Sequence, residues 1–437
     1  MEYSKYNILS KIKNSAEYFL VNSLSGQADI LDPETAAEYE RQELSDPAAF
    51  TEKGYLVDPA EEQKRFRLAY LDFLENRDDS EVQLFFVPTY ACNFECPYCY
   101  QEGYGYEQAM AGGEIVDAFF GYIDSQFAGR EKYITVFGGE PLLPGTRAKD
   151  LVTSMIDNAN RRGLGLAFVT NGYTLEEYVP LLETGIIREI QVTLDGVGSL
   201  HDQRRPHRGG GATFDTIVAG IDAALAAAMP VNLRTVVDRE NAGGLLDLAR
   251  FAIKKGWTKN PLFKTQLGRN YELHYCQADQ VKLYDRVSLY EDIYELARNN
   301  PEFLEFHKPA FSISRFLFDN GELPEPLFDS CPGTKTEWAF DYTGNVYSCT
   351  ATVGKPDEAL GTFYPEIHLD EDKVEQWEER DVTAIAKCTG CALQLACGGG
   401  CASVAKNATG KIQAPDCRPV KELLELGISL YSNETME

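Results

Sequence analysis

Ten of the eleven cysteines stand in groups whose spacing suits metal ligation. Cys92, Cys96 and Cys99 form C-x3-C-x2-C within CNFECPYC, and three thiolates this close can share one metal centre. Three rather than four leave a coordination position open, which on a four-iron cluster is one iron. Further along, Cys331 is followed by twelve residues, Gly344, four residues and Cys349, then by Cys388-x2-Cys391-x5-Cys397-x3-Cys401 and a final Cys417. Such thiolate sets suit zinc as well as iron–sulfur clusters, and spacing alone leaves both open. The five histidines are too few and too scattered for the main centre to be imidazole-based.

The chain that carries these thiols has 437 residues, 44% apolar, with a net charge of −27. That length predicts about two to three domains whose cores need no disulfide staples. The acidic balance argues against nucleic acid or anionic membrane as partner, since either needs a basic footprint. No apolar run approaches the ~20 residues of a membrane span, and charges interrupt MEYSKYNILSKIKNSAEYFL too often for a secretory signal. The expectation is a cytoplasmic protein, in which thiols stay reduced and bind metal rather than pair as disulfides.

The elements that must position the thiols divide the chain in three. Residues 1–80 read as a small α+β module: short strands at Tyr6 to Ile12 and Glu17 to Leu24, a helix opened by Asp32-Pro33-Glu34, and a second helix with Phe66, Tyr70 and Phe73 on one face. Residues 81–308 alternate apolar strands (VQLFFVPTY, YITVFGGEP, GLAFVTNG, EIQVTLDG, VNLRTVVD, FKTQLG) with helical stretches such as Gly113 to Phe127, Arg147 to Arg162, Phe214 to Ala228 and Gly243 to Lys255. This is the pattern of βα units on a parallel sheet, and six strands predict an α/β fold with a partial (β/α)6, TIM-like barrel. In such barrels the chemistry sits at the C-terminal strand ends, where GGEP, TNG, LDG and the first cysteine group fall. Residues 309–437 read as a loop-rich domain with few strong elements besides a helical tail, Val420 to Leu430, and bound metal would hold it together.

C-x3-C-x2-C after a first strand, with the aromatic Tyr98 just before the third cysteine, resembles the signature of the radical S-adenosylmethionine (SAM) superfamily. The resemblance implies that Cys92, Cys96 and Cys99 hold a [4Fe-4S] cluster whose unique iron binds the amino and carboxylate groups of SAM. It further implies reductive cleavage of SAM to methionine and a 5′-deoxyadenosyl radical, with the protein aligning one substrate hydrogen and keeping out water and oxygen. Gly138, Gly139, Glu140 and Pro141 resemble the family's GGEP, where backbone and the Glu carboxylate accept hydrogen bonds from the SAM ammonium. Thr170 and Asn171, then Thr193 and Asp195, stand where relatives reach the ribose and methionine parts of SAM. Arg205, in HDQRR, would pair with the SAM carboxylate, and Arg234 on the fifth barrel strand competes for that role.

The seven later cysteines match the SPASM extension of that superfamily, which implies two auxiliary [4Fe-4S] clusters with interleaved ligands. By that resemblance Cys388, Cys391, Cys397 and Cys417 ligate the second auxiliary cluster, and Cys331, Cys349 and Cys401 the first. Eight thiolates would fill both; relatives with an eighth carry it about six residues before the first, where this chain has Glu325. The first auxiliary cluster would then keep an open iron for a substrate thiolate or a non-cysteine ligand, with Cys276 a candidate eighth.

SPASM enzymes mostly oxidise peptides or proteins, so the resemblance implies a maturase acting on a ribosomally made peptide by hydrogen abstraction and thioether or other cross-link formation. Two alternatives stand beside it: a sulfatase-maturing, formylglycine-generating enzyme, and an electron-transfer iron–sulfur protein without SAM chemistry. Sulfatase-maturing relatives carry Asp directly after the second SPASM cysteine, whereas Thr350 follows Cys349 here. The amino-terminal module resembles winged-helix elements that recognise leader peptides by strand addition, with a structural cap on the barrel as the alternative. A ferredoxin- or flavodoxin-type reductant is expected, and Arg204, Arg205, His207 and Arg208 offer a candidate docking patch for it.

Overall fold

The computed structural model describes residues 1–101, 104, 109–269 and 282–434, the side chains of the last two excepted. At the amino end, β1 (Glu2–Tyr3) pairs with β5 (Leu56–Val57), and β2 (Asn7–Lys11), β3 (Tyr18–Asn22) and β4 (Gln27–Leu31) form an antiparallel sheet with β3 in the middle. Three helices accompany them: α1 (Pro33–Arg41), α2 (Pro47–Glu52) and α3 (Pro59–Asp79). Each begins with an Asp cap followed by proline; the Asp32, Asp46 and Asp58 carboxylates accept backbone N–H groups of the first turn. On α3, Phe66, Ala69, Tyr70 and Phe73 lie at helical spacing and pack around the buried Phe328 of the cysteine-rich region.

Six parallel strands follow: β6 (Val82–Val87), β7 (Lys132–Val136), β8 (Leu166–Thr170), β9 (Ile187–Thr193), β10 (Val231–Val237) and β11 (Phe263–Arg269). Successive strands lie side by side, joined through α4 (Gly113–Gln126), α5 (Thr146–Arg162), α6 (Leu175–Leu182), α7 (Ser199–Arg204) with α8 (Phe214–Ala226), and α9 (Leu245–Lys255). One phase of each strand packs on these helices: Val82, Leu84, Phe86, Ile134, Leu166, Phe168, Ile190, Val192, Val231 and Leu233 are fully enclosed. The other phase lines a cavity and is mixed, with Gln83, Thr135, Gln191, Thr193, Arg234 and Gln266 beside the apolar Phe85, Ala167 and Val169. The inner face is thus built to surround something rather than to close on itself.

The sheet does not become a ring. Beside β6, where β11 would sit in a closed barrel, lies β12 (Glu337–Asp341), parallel to β6, followed by antiparallel β13 (Asn345–Tyr347), β14 (Gly361–Thr362) and β15 (His368–Leu369). The expectation of a region nearly free of strands after residue 309 is corrected here. The cysteine-rich region continues the central sheet, because Trp338 and Phe340 bury their rings beside Phe127, Phe119 and Tyr122 of the α4 layer. Between the two parts run α10 (Arg286–Asn299), α11 (Phe303–Phe306) and α12 (Ser314–Asn320); α13 (Glu371–Glu378), α14 (Gln394–Cys397), α15 (Ala402–Thr409) and α16 (Val420–Glu434) complete the chain. Helix α16 buries Val420, Leu424 and Ile428 against Ile8, Phe19 and Val21 of the amino-terminal sheet. That module is therefore seated on the cysteine-rich region.

Candidate functional site

Cys92, Cys96 and Cys99 occupy the loop leaving β6, and backbone contacts from two neighbours hold that loop. The Gly139 and Glu140 N–H groups donate to the Thr89 and Ala91 carbonyls at 3.0 and 2.8 Å. A Cβ on Gly139 would lie 2.0 Å from the Ala91 oxygen, and one on Gly138, at φ +143°, 2.5 Å from that of Thr89. These glycines let the end of β7 touch the cysteine loop backbone to backbone. From the other side, Glu95 N–H donates to Pro206 O at 3.0 Å, Arg208 N–H to Asn93 O at 2.8 Å, and Arg208 Nε to Cys92 O at 3.1 Å.

Glu140 lies beneath the cavity rather than in its wall. It is 0% exposed, and its carboxylate accepts hydrogen bonds from Leu142 N–H at 2.8 Å, Thr170 Oγ1 at 2.6 Å and Asn171 N–H at 2.6 Å. It ties the ends of β7 and β8 together, and burial pushes its carboxyl above the usual range. Pro141 likewise stays out of the wall, whereas Gly138, Gly139, Thr170, Asn171 and Thr193 line it. Asn171 Nδ2 donates to Asn93 Oδ1 at 2.7 Å, a contact that only the fold brings about.

Tyr98 donates its hydroxyl to the Asp195 carboxylate and accepts from Arg205 at 2.7 Å. Asp195, 1% exposed, also accepts from Val236 N–H at 3.0 Å, and Arg204 Nε stands 3.5 Å from it. The basic docking patch is corrected by these contacts. Arg204 is buried and ion-paired to Asp238 at 2.8 Å, Arg205 faces the cavity, and His207 stacks on Tyr173 at 4.6 Å. The two arginines point inward because Asp195, Asp238 and Tyr98 supply buried partners there.

A cavity of about 810 Å³ runs from this loop across the sheet's inner face. Its wall contains Cys92, Cys96, Cys99, Tyr98, Arg205 and Arg234, and also Cys331, Cys349 and Cys401, so two thiol triads open into one space. Among these thiols, burial raises Cys92 to about 12, Cys96 to about 11 and Cys349 to about 12, with Glu140 and the neighbouring thiols adding to the effect at Cys92 and Glu337 at Cys349. Neutral buried thiols become ligands when a cation displaces their protons. Tyr100, which the sequence did not single out, stands in the same wall near Cys99 and Cys349. So does Glu337, whose carboxyl burial pushes up to about 7.

Cys388, Cys391, Cys397 and Cys417 form a separate group outside this cavity, near enough that the other three thiols raise that of Cys388, after burial, to about 11. Gly398, Gly399 and Gly400, all at positive φ, carry the chain from Cys397 to Cys401, and a Cβ on Gly400 would lie 2.0 Å from the Asp416 oxygen. Adjacent turns of one loop thus feed two thiol groups. Cys276 lies outside the described residues.

An open parallel sheet with a thiol triad at its C-terminal edge defines an α/β chain with a thiol-lined cavity. Residues 86–252 match the Radical SAM superfamily, and the chain carries a radical SAM domain. Among curated relatives, a GTP 3′,8-cyclase of Ectopseudomonas mendocina is 30% identical over 204 residues, 44% of this chain and 57% of that one. The mycofactocin maturase MftC of Mycobacterium ulcerans is 27% identical over 221 residues, 49% of this chain and 57% of the relative. Both alignments span little more than half of the relatives' length. Solved structures match more of the fold: anSMEcpe with bound AdoMet and Cp18Cys peptide has a TM-score of 0.63 at 16% identity, covering 82% of this chain and 99% of that one. Streptococcus suis SuiB bound to precursor peptide SuiA has a TM-score of 0.55 at 15% identity, covering 95% and 98%. These likenesses concern the fold. Among the described residues no helix is long and apolar enough to cross a membrane.

Proposed function

We propose that this chain is a radical SAM/SPASM peptide maturase that reductively cleaves SAM and oxidatively modifies a ribosomally made peptide, forming a thioether or other cross-link. The carrying observation is the single cavity bordered by both thiol triads. A cluster on the second triad would sit where it could bind, or take an electron from, the substrate on which the SAM-derived radical acts. Residues 81–308 would be the SAM core, residues 309–437 the auxiliary-cluster domain and residues 1–80 the leader-recognition module.

The residues fit the groups this reading requires. Three thiols on one loop and in one cavity wall, with a fourth ligand missing, suit a site-differentiated [4Fe-4S] cluster, and seven further cysteines suit two auxiliary clusters. When bound, the first cluster and SAM supply one-electron cleavage and a carbon radical able to take a hydrogen atom. Gly138, Gly139, Thr170, Asn171 and Thr193 would hold the nucleoside and methionine parts. Arg205, with no partner on its Nε among the described residues, or Arg234 would take the carboxylate. Glu140, Pro141 and Asp195 would act from behind and Tyr98 from within the wall, fixing its shape. In the amino-terminal module β4 lies at the sheet edge with Ile30 51% exposed, and a leader strand would pair there.

Anaerobic iron and sulfide analysis followed by a SAM-cleavage assay with a ferredoxin- or flavodoxin-type reductant tests the core of this reading. Cys96→Ala should abolish cleavage. A neighbouring reading frame for a short cysteine-rich peptide, and a mass loss of two hydrogens per cross-link, would support maturation; an adjacent sulfatase gene and formylglycine would favour the sulfatase-maturing alternative. Active SAM cleavage with an unchanged peptide mass would overturn the maturase assignment for that peptide.

A further inference from the structure

Seven thiolates are one short of two fully ligated four-iron clusters, and the shortfall falls on Cys331, Cys349 and Cys401. A carboxylate stands beside them. Residues 332–337 fold back on themselves, with the Lys335, Thr336 and Glu337 N–H groups all donating to Pro332 O at 2.9–3.0 Å, so Glu337 returns to the residue next to Cys331. Its Oε1 accepts the N–H of Thr350, next to Cys349, at 3.1 Å. The side chain is thereby tethered between the turns bearing two of the three thiols, and it lines the same cavity as all three.

Neighbouring carboxylates are otherwise engaged. Asp329 is paired with Lys335, Asp341 accepts from Tyr90, Tyr347 and Thr343, and Glu358 is paired with Lys406. Among the described residues no Lys, Arg or His forms an ion pair with Glu337, and its second oxygen has no hydrogen-bond donor. Glu337 is half-buried, and a carboxylate withdrawn that far from water without a counter-charge is unfavourable; iron would provide that charge.

Building on the auxiliary-cluster reading above, we propose that Glu337 is the fourth ligand of the cluster held by Cys331, Cys349 and Cys401, one carboxylate oxygen on iron while the other keeps the Thr350 N–H. The carboxyl proton leaves to solvent as the iron binds. An oxygen ligand among thiolates marks that iron as the exchangeable one.

The test uses the full chain with Cys92, Cys96 and Cys99 all changed to Ala, so that only auxiliary clusters remain, reconstituted anaerobically and reduced. With glutamate ¹³C-labelled at its side-chain carboxyl, electron–nuclear double resonance should detect a carbon coupled to a cluster, and Glu337→Gln should remove that coupling. Glu337→Cys should keep the iron content and move the first auxiliary cluster to a more negative potential, as a fourth thiolate would; this variant decides the matter if the Gln form does not hold its cluster. Absence of the coupling, with spectrum and potential unchanged in both variants, overturns the proposal and leaves the auxiliary clusters standing. Failure of the parent chain to retain about eight irons overturns the auxiliary-cluster reading and this ligand with it.

Discussion

Tyr98 and Asp195 are hydrogen-bonded across 97 positions of sequence, phenol to carboxylate, and this bond anchors the cysteine loop to the end of β9. The same hydroxyl accepts from Arg205, so one oxygen links loop, strand and cation. Tyr98→Phe keeps the ring but removes one donor from Asp195, which retains Val236 N–H, and takes from Arg205 the hydroxyl that restrains it. A hydrogen bond to a charged group is worth about 1.5–3 kcal/mol, so SAM affinity should fall by roughly ten- to a hundredfold. Equilibrium dialysis of SAM against the reconstituted protein checks this; unchanged affinity would mean Arg205 is positioned by other contacts.

Gly139→Ala should remove one cluster selectively. The added methyl would meet the Ala91 carbonyl at 2.0 Å, and neither backbone can yield without moving the loop between Ala91 and Cys99. Forced overpacking of this kind costs about 1–3 kcal/mol or more. With the three clusters proposed above, iron should drop from about twelve per chain toward about eight, with the auxiliary signals intact. Loss of all iron would instead point to global misfolding.

His201 sets a pH dependence. The ring is 0% exposed, its Nδ1 accepts from Asp195 N–H at 3.1 Å, and burial followed by the charge of Arg205 pulls its pKa down to about 3. The folded state therefore resists a proton that the unfolded chain accepts at about 6.5. Stability from this group is present above pH ~6.5 and is lost as pH falls toward 3, by up to about 1.4 kcal/mol per unit. His201→Asn, whose side-chain oxygen can accept the same N–H, should flatten that slope between pH 7 and pH 5 in urea unfolding of the anaerobic protein. Equal slopes in the two proteins would show that His201 titrates normally.

Much of this was legible in the sequence, and the rest was hidden for identifiable reasons. Strands β6 to β11 announce themselves as apolar runs between helical stretches, α1 through its Asp-Pro start and α3 through Phe66, Tyr70 and Phe73 on one face, because those signals are local. Strand β12 is not announced: its stability comes from pairing with β6, some 250 positions earlier, and its first residue is a polar Glu337. The GGEP motif marked its place correctly, yet its spacing could not reveal that Gly139 meets the cysteine loop or that Glu140 spends its oxygens on Thr170 and Asn171. Likewise a run of arginines reads as a basic surface until the fold supplies Asp238 and Tyr98 to receive them.

Arg380 was passed over for the same reason, and it yields the sharpest stability prediction. Its guanidinium is fully buried and donates to four backbone carbonyls: Ile412 at 2.8 Å, Gly400 at 3.0 Å, Gly399 at 2.9 Å and Ala414 at 3.0 Å. These carbonyls belong to the turn from Cys397 to Cys401 and to the strand of loop that reaches Cys417. The Asp329 carboxylate, 3.7 Å away, also accepts the N–H of Cys331 at 2.9 Å and pairs with Lys335, which in turn donates to Arg380 O at 2.9 Å. One cation thus braces thiol-bearing segments of both later cysteine groups. Arg380→Met would keep the volume and orphan four acceptors together with part of the charge on Asp329, a loss of about 3–5 kcal/mol for breaking a buried ionic group on one side. Arg380→Lys can satisfy at most three of the carbonyls, so it should rescue partially. Iron analysis and thermal melts of the two variants should therefore rank wild type above Lys above Met, with auxiliary iron lost before the cluster of Cys92, Cys96 and Cys99; loss of that first cluster alone would contradict the assigned role.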